Sequence, residues 1–199
     1  MKRSTDYPHL LGSVNALSEA LEVRDAYTRS HCDRAVRLAT EVGYACDVSD
    51  LELDRLRVGA RFHDIGKIGI PDAVLLKPAR LTGDEWILMM AHSALGEQIF
   101  MATALPDQDE IATVIRHHHE SFDGSGYPDG LAREAIPLLS RILLIVDAYD
   151  AMTTTRPYHL ERTHAQAMEI MWSESGSKFD PEIFRIFSDL IDHSPARMH

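Results

Sequence analysis

The chain has little of what marks secreted, membrane-spanning or nucleic-acid-binding proteins. Only two of its 199 residues are cysteine, and Cys32 and Cys46 form no C-x-x-C pair, so no disulfide framework and no thiolate zinc or redox centre is expected. A chain of this length can bury a core without such staples, and both thiols read as small buried or half-buried residues of a reducing compartment. No apolar stretch approaches the length of a membrane span. The basic start Met1-Lys2-Arg3-Ser4 is followed only by a brief Leu10-Leu11 before polar residues return, too little for a signal-peptide core. Twenty Lys and Arg stand against 31 Asp and Glu, a net charge of −11. With no basic stripe for a phosphate backbone, a nucleic-acid polymer is not the expected partner. Repeats and low-complexity segments are also absent. These absences leave the expectation of one soluble cytoplasmic domain.

Nor does any set of alternating segments suggest a sheet. Apolar residues recur at three- and four-residue steps along nearly the whole chain, the period of packed helices. Leu143-Leu144-Ile145-Val146 could pass for a strand, but the preceding Pro137 and the length of the periodic run favour helix. Helices are expected over 12–23, from Asp25 to about Cys46, from near Pro106 to His118-His119, from Ile136 to Met152, and near 163–174 and 181–191. Ser49-Asp50-Leu51-Glu52 and Thr82-Gly83-Asp84-Glu85 read as capping boxes, in which a hydroxyl accepts a backbone N–H and the Glu reaches back to the cap. Each opens a helix that carries a histidine, His63 or His92. Asp180-Pro181-Glu182 offers an N-cap, a proline for the first helical position and an acid at the positive end of the dipole. The helix through His63 is expected to continue until Ile68-Gly69-Ile70-Pro71 breaks it after Lys67.

What the chain has in excess is histidine. Its eleven histidines are about twice the usual share, and most fall at wide intervals in helical segments, which implies a site assembled by folding. His63-Asp64 sets an imidazole beside a carboxylate. The imidazole offers a neutral nitrogen, and the carboxylate offers charge and a second oxygen able to bridge two ions. Taken alone, such a pair is more often a surface pair or a hydrogen-bonded core histidine. His31, His92, His118, His119 and Asp147 are further ligand-type residues, and the set meets the needs of a binuclear centre with one shared carboxylate. Adjacent His118 and His119 diverge by about 100° on an ideal helix, so both can serve only near a frayed end, which the Gly-rich stretch from Ser121 to Gly130 would supply. Asp147 and Asp150 share a helix face at i, i+3. Two divalent ions would bring about four positive charges to one spot, which keeps a small anionic substrate compatible with an acidic chain.

Several pieces follow one another in a recognisable order: Asp25-Ala26-Tyr27-Thr28 with His31 and Arg34; His63-Asp64-Ile65-Gly66-Lys67-Ile68-Gly69-Ile70-Pro71; His92 with Gly96; His118-His119-Glu120 with Asp123-Gly124-Ser125-Gly126-Tyr127-Pro128; Asp147-Ala148-Tyr149-Asp150-Ala151-Met152; and Arg156-Pro157-Tyr158. In these the chain resembles the HD-GYP family of cyclic di-GMP phosphodiesterases, a branch of the HD phosphohydrolases, over roughly residues 12–191. The resemblance implies an all-α HD-domain helical bundle around a binuclear metal centre. Residues 1–11 would then be an N-terminal tail, 12–191 the domain with a first linker-like helix, and 192–199 a C-terminal tail. It further implies that His31, His63, Asp64, His92, His118, His119 and Asp147 bind two divalent ions, iron or manganese, with Asp64 as the bridge. Some members bind a third ion through a Glu four residues before the residue matching His31. Here Tyr27 stands there, and a neutral phenol is a poor ligand for a hard cation, so two ions are expected.

The activity the resemblance implies is hydrolysis of the cyclic dinucleotide to linear pGpG, and onward to GMP, by a hydroxide held between the ions at Asp64. Lys67 is expected to reach the phosphate, stabilising charge or assisting the leaving oxygen; a solvated surface lysine is the ordinary alternative. Arg156 is a second candidate phosphate contact, against a surface salt bridge, and His159 stands where relatives often carry a basic residue. Gly124 and Gly126 are expected to permit positive φ, Pro128 to stiffen the exit and Tyr127 to offer an aromatic face. The Gly126-Tyr127-Pro128 loop is thus a candidate for substrate contact, gating or docking to a diguanylate cyclase domain. Glu120 and Asp150 are expected to orient ligating imidazoles. Open alternatives are another cyclic dinucleotide such as cyclic GMP-AMP, and an idle module that only binds a nucleotide or partner. The first helix is a candidate element of a homodimer, though its pattern fits bundle packing equally well.

Overall fold

The computed structural model describes residues 16, 19, 21, 28–103, 105, 107–154, 162–194 and 197, and of residues 28–30 the backbone only. Residues 16, 19 and 21, the described part of the expected first helix, are helical. There follow α1 (Thr28–Ala45), α2 (Asp50–Phe62), α3 (Asp72–Leu75), α4 (Gly83–Met101), α5 (Gln108–His117), α6 (Leu138–Thr153), α7 (His164–Ser173) and α8 (Pro181–Ile191), with 3-10 turns at Ile65–Gly69 and Arg133–Ala135. Among the described residues there is no strand, only an isolated bridge between Ser175 and Phe179. The fold is all-α, as its periodicity requires. No helix among the described residues is long and apolar enough to cross a membrane.

The helix starts follow from local chemistry. Both expected capping boxes form, Ser49 with Glu52 at α2 and Thr82 with Glu85 at α4, and a third, Thr163 with Gln166, opens α7. At α8 the Asp180 carboxylate accepts the N–H groups of Glu182 and Ile183. Helix α6 is apolar on nearly every side and runs through the middle of the bundle, burying Leu139, Ile142, Leu143, Leu144, Ile145 and Val146. Onto it pack Ala35, Leu38, Ala39 and Val42 of α1, and Ile183, Phe184, Phe187 and Ile191 of α8. A second cluster, Phe62, Ile65, Phe100, Ile111 and Ile115, ties α2, α4 and α5 together.

One expectation fails in a way that shapes the site. Helix α2 does not run on to Lys67; it stops at Phe62, Asp64 takes φ −91° and ψ 0°, and the chain continues as the 3-10 turn. The physical reason is a backbone contact. A Cβ on Gly66 would stand 1.8 Å from the carbonyl oxygen of His92 and 2.4 Å from the amide nitrogen of Gly96, so the turn lies directly on α4, where a regular helix with side chains could not. Gly66→Ala is therefore expected to cost about 3 kcal/mol through overpacking against rigid backbone. Thermal denaturation followed by circular dichroism should show a melting point lower by roughly 6–12 °C.

Candidate metal centre and its cleft

Each helix end or face at the centre of the bundle delivers part of one constellation. His31 comes from α1, His63 caps the C-terminus of α2, Asp64 leads into the 3-10 turn, His92 lies on α4, His118 caps α5 with His119 after it, and Asp147 lies on α6. The expected frayed end is present: α5 stops at His117, so the two following histidines can turn inward together, their ring centroids 4.0 Å apart.

The rings are oriented by their own backbone. His63 Nδ1 lies 2.9 Å from the Ala60 carbonyl, His92 Nδ1 2.8 Å from Met89, and His118 Nδ1 2.6 Å from Ile115. A carbonyl can only accept, so Nδ1 carries the hydrogen in each ring and Nε2 of the neutral ring is a lone pair. The Nε2 atoms then converge, His92 to His118 at 3.3 Å and His31 to His63 at 3.1 Å. Between His92 and His118 two lone pairs face each other in a buried place with no hydrogen to share. A cation is the group that satisfies both, and the donor set fits one.

Asp64 stands between the two histidine groups. Its Oδ2 is 3.6 Å from His63 Nε2 and 4.0 Å from His31 Nε2, while its Oδ1 is 3.7 Å from His92 Nε2. One oxygen thus faces each group, the arrangement a bridging carboxylate needs. Asp147 Oδ1 joins the first group, 3.3 Å from His31 and 3.9 Å from His63. All seven residues singled out as ligands in the sequence are therefore brought together, as two groups that share Asp64.

Their charges are set by burial and by each other. Burial keeps His118 well below the ordinary imidazole range and His119 down to about 3, with neighbouring imidazoles adding to the effect; His92 is lowered by burial as well. All three are neutral and able to ligate. Burial also works against charge on Asp64 and Asp147. It is outweighed at Asp64 by the Lys67 ammonium, 2.7 Å from Oδ2, and at Asp147 by the hydrogen bond from His31, so both carboxyls are held far below their usual range. His31 is the exception among the imidazoles. Burial resists its protonation, but hydrogen bonds to Asp147 and Asp150 prevail and lift it to about 9.

Asp150 orients His31 as expected, its Oδ2 2.6 Å from Nδ1, and is itself gripped by the Arg34 guanidinium through Nε and, at 3.0 Å, through the terminal nitrogen. Arg34 was visible in the sequence only as part of a motif. Glu120 requires a correction. Its buried carboxylate is hydrogen-bonded to none of the candidate ligand imidazoles and instead accepts the backbone N–H groups of Asp129, at 2.7 Å, and Leu131, at 3.0 Å. It folds the loop back on itself.

That loop forms one wall of a cleft of about 490 Å³, lined among others by His119, Asp147, Tyr127, Gly126, Trp86 and Lys178, a size that suits a small organic ligand. Tyr127 leans on His119 with ring centroids 4.8 Å apart, and burial raises its phenol further, leaving it neutral. Gly124 has φ +85°, as expected, but Gly126 is not among the residues with positive φ. Glycine is needed there for space, since a Cβ would lie 2.2 Å from the Ser121 amide nitrogen. Trp86 and Lys178 were missed from the sequence, because nothing local marks either residue as facing the cleft. Arg156 and Tyr27, and with them the reading on a third ion, lie outside the described residues.

The sequence profile of the HD domain matches residues 14–183. The chain belongs to the HD domain family. A cyclic di-GMP phosphodiesterase response regulator, RpfG, from Xanthomonas campestris pv. campestris is 38% identical over 169 residues, 85% of this chain and 45% of that one. A 3'3'-cGAMP-specific phosphodiesterase 2 from Vibrio cholerae is 31% identical over 180 residues, 90% of this chain and 34% of the other. The chain thus spans about half the length, or less, of the curated relatives it matches. Among solved structures, a cyclic GMP-AMP specific phosphodiesterase of V. cholerae superposes with a TM-score of 0.64 at 20% identity, over 83% of this chain and 44% of that one. That likeness establishes the HD domain fold.

Two outcomes follow for the centre. Asp150→Asn keeps the shape of the side chain but removes the charge that holds His31, and should weaken manganese binding by about ten- to a hundredfold in calorimetry. In the metal-free protein His31 keeps its proton up to about pH 9, and a cation at Nε2 must displace it. Affinity should therefore rise about tenfold per pH unit from pH 7 toward 9 and level off above. Anaerobic calorimetry in two buffers of different ionisation enthalpy should detect about one proton more released at pH 7 than at pH values above the His31 titration.

Proposed function

We propose that this HD domain is a metal-dependent phosphodiesterase that opens cyclic di-GMP to linear pGpG and carries the product on to GMP. The observation that carries the reading is the pair of histidine groups joined by the two oxygens of Asp64, beside a cleft of about 490 Å³ that His119 and Asp147 line. The name of the Xanthomonas relative supports it. His31, His63, Asp64 and Asp147 would hold one ion, and Asp64, His92, His118 and His119 the other. Iron or manganese suits this mixture of imidazole and carboxylate. When bound, such ions supply Lewis acidity toward phosphate oxygens and toward water.

The chain's own residues would do the rest. Ring opening adds water across a P–O3′ bond, with oxygen going to phosphorus and a proton to the departing 3′-oxygen. Lys67 supplies a cationic donor at the shared carboxylate, its ammonium 2.7 Å from Asp64 Oδ2. It would neutralise charge on the phosphate and meet the leaving oxygen. Lys178, on the cleft wall and paired with Glu174 at 3.6 Å, would turn its charge to an anionic ligand, and Arg156 stays a candidate for the same task. Asp147 and His119 line the cleft from the metal side, while the neutral Tyr127 and the backbone of Gly126 line it from the loop side. With its ring packed on His119, Tyr127 favours substrate contact over docking of a diguanylate cyclase domain as the work of this loop.

A second reading, hydrolysis of 3'3'-cyclic GMP-AMP, is favoured by the name of the Vibrio relative. One assay decides between them. Protein loaded anaerobically with iron or manganese is offered cyclic di-GMP, linear pGpG and cyclic GMP-AMP in parallel. Faster consumption of cyclic di-GMP is expected, and no turnover of any of the three would remove the enzyme reading. The double variant His63→Ala, Asp64→Ala should lose both its metal, from about two ions per chain, and its turnover.

A further inference from the structure

Trp86 is large and apolar, yet 48% of it is exposed. It sits in the second turn of α4, at the mouth of the cleft. Its ring meets that of Tyr127 edge to face, centroids 6.3 Å apart at 83°, and Tyr127 in turn leans on His119 at 31°. The three rings form one aromatic wall, with a candidate metal ligand at one end and an open indole at the other. Met90, one helical turn beyond Trp86, lines the same cleft with a polarisable thioether. Ile87 and Leu88 are exposed too, but they point about 100° and 200° away around the helix and do not line the cleft.

The competing explanation for Trp86 is local. It occupies the fourth helical position after the Thr82 cap, and Leu81 precedes that cap, the two places where an apolar pair staples a helix start. A staple is served by any apolar side chain and gains nothing from an aromatic face left open to a ligand cavity.

We propose that Trp86, with Tyr127, is the stacking platform for a nucleobase of the cyclic dinucleotide, positioning the substrate so that a phosphate reaches the centre at Asp64. The inference rests on the cyclic-dinucleotide reading above. Every nucleobase presents a π face that stacks on indole, an interaction that changes affinity by roughly tenfold or more. Lys178, which lines the same cleft and pairs with Glu174 at 3.6 Å, and the cations that the centre at Asp64 would hold suit the phosphates of the same ligand rather than an apolar one. Trp86 is then a positioning residue, and its loss should fall on KM.

The test uses the full chain in a Trp172→Phe background, which leaves Trp86 as the sole tryptophan of the original two. Mixing manganese-loaded protein with cyclic di-GMP in a stopped-flow fluorimeter should quench the indole before turnover, at concentrations near KM, whereas ribose 5-phosphate, which has no base, should not. In steady-state assays Trp86→Leu, which preserves a staple, should raise KM about tenfold with kcat within about threefold, and Trp86→Phe should restore most of the loss. Quenching without turnover would remove the enzyme reading and keep the platform. Turnover without quenching, with KM of the leucine variant within about twofold, would remove the platform and keep the enzyme. Absence of both signals overturns both.

Discussion

The bond on which the centre depends runs from an imidazole Nδ1–H to the carbonyl three residues earlier, and it occurs at His63, His92 and His118. It decides the tautomer, because a carbonyl cannot donate, and so it decides that Nε2 points inward as a lone pair. At His63 and His118 the accepting carbonyl lies in the last turn of a helix, among the groups that have no partner within the helix. The same contact thus satisfies a helix-end carbonyl and aims the ligand. Three elements, two of them ending at the ligand and α4 running on past it, bring their lone pairs to within about 3 Å of another imidazole nitrogen, held by the packing of α2, α4 and α5 through Phe62, Phe100 and Ile115.

Charge is balanced around that geometry in two different ways. On the His92 side burial leaves the imidazoles neutral, so nothing opposes a cation except its own desolvation. On the His31 side the carboxylates of Asp64, Asp147 and Asp150 collect around one imidazole and keep it charged. A proton there does in the metal-free protein what a divalent ion would do, offsetting the mutual repulsion of buried carboxylates. Arg34 and Lys67 carry the remaining positive charge, each in contact with one of these acids.

How much of this was legible in the sequence follows from which interactions are local. The helix starts were, because Ser49 with Glu52, Thr82 with Glu85 and Asp180 with Glu182 act within a single turn. So was the inward role of Asp150, set by its i, i+3 spacing from Asp147. The end of α2 was not, since the residues around His63 have ordinary helical propensity and it is the contact of Gly66 with the backbone of α4 that excludes a helix. Gly126 was assigned the right importance for the wrong reason, a positive φ instead of a missing Cβ. Glu120 was placed against an imidazole because carboxylates near ligating histidines so often serve there, but its partners are amides nine and eleven residues on. Trp86 and Lys178 face one cavity from elements more than ninety residues apart, and no short-range pattern could have joined them.

The anchoring of the 121–131 loop has a consequence for selectivity. Glu120 holds two of its amides from beneath, the carbonyls of Lys178 and Ser177 take those of Phe122 and Asp123, and Arg116 and His117 grip Asp129 from the end of α5. A wall fastened at so many points surrenders little conformational freedom when a ligand arrives. Under the phosphodiesterase reading proposed above, discrimination among ring-shaped nucleotides would then be a matter of fit to a mould that is already cast, set by the outline of the free protein.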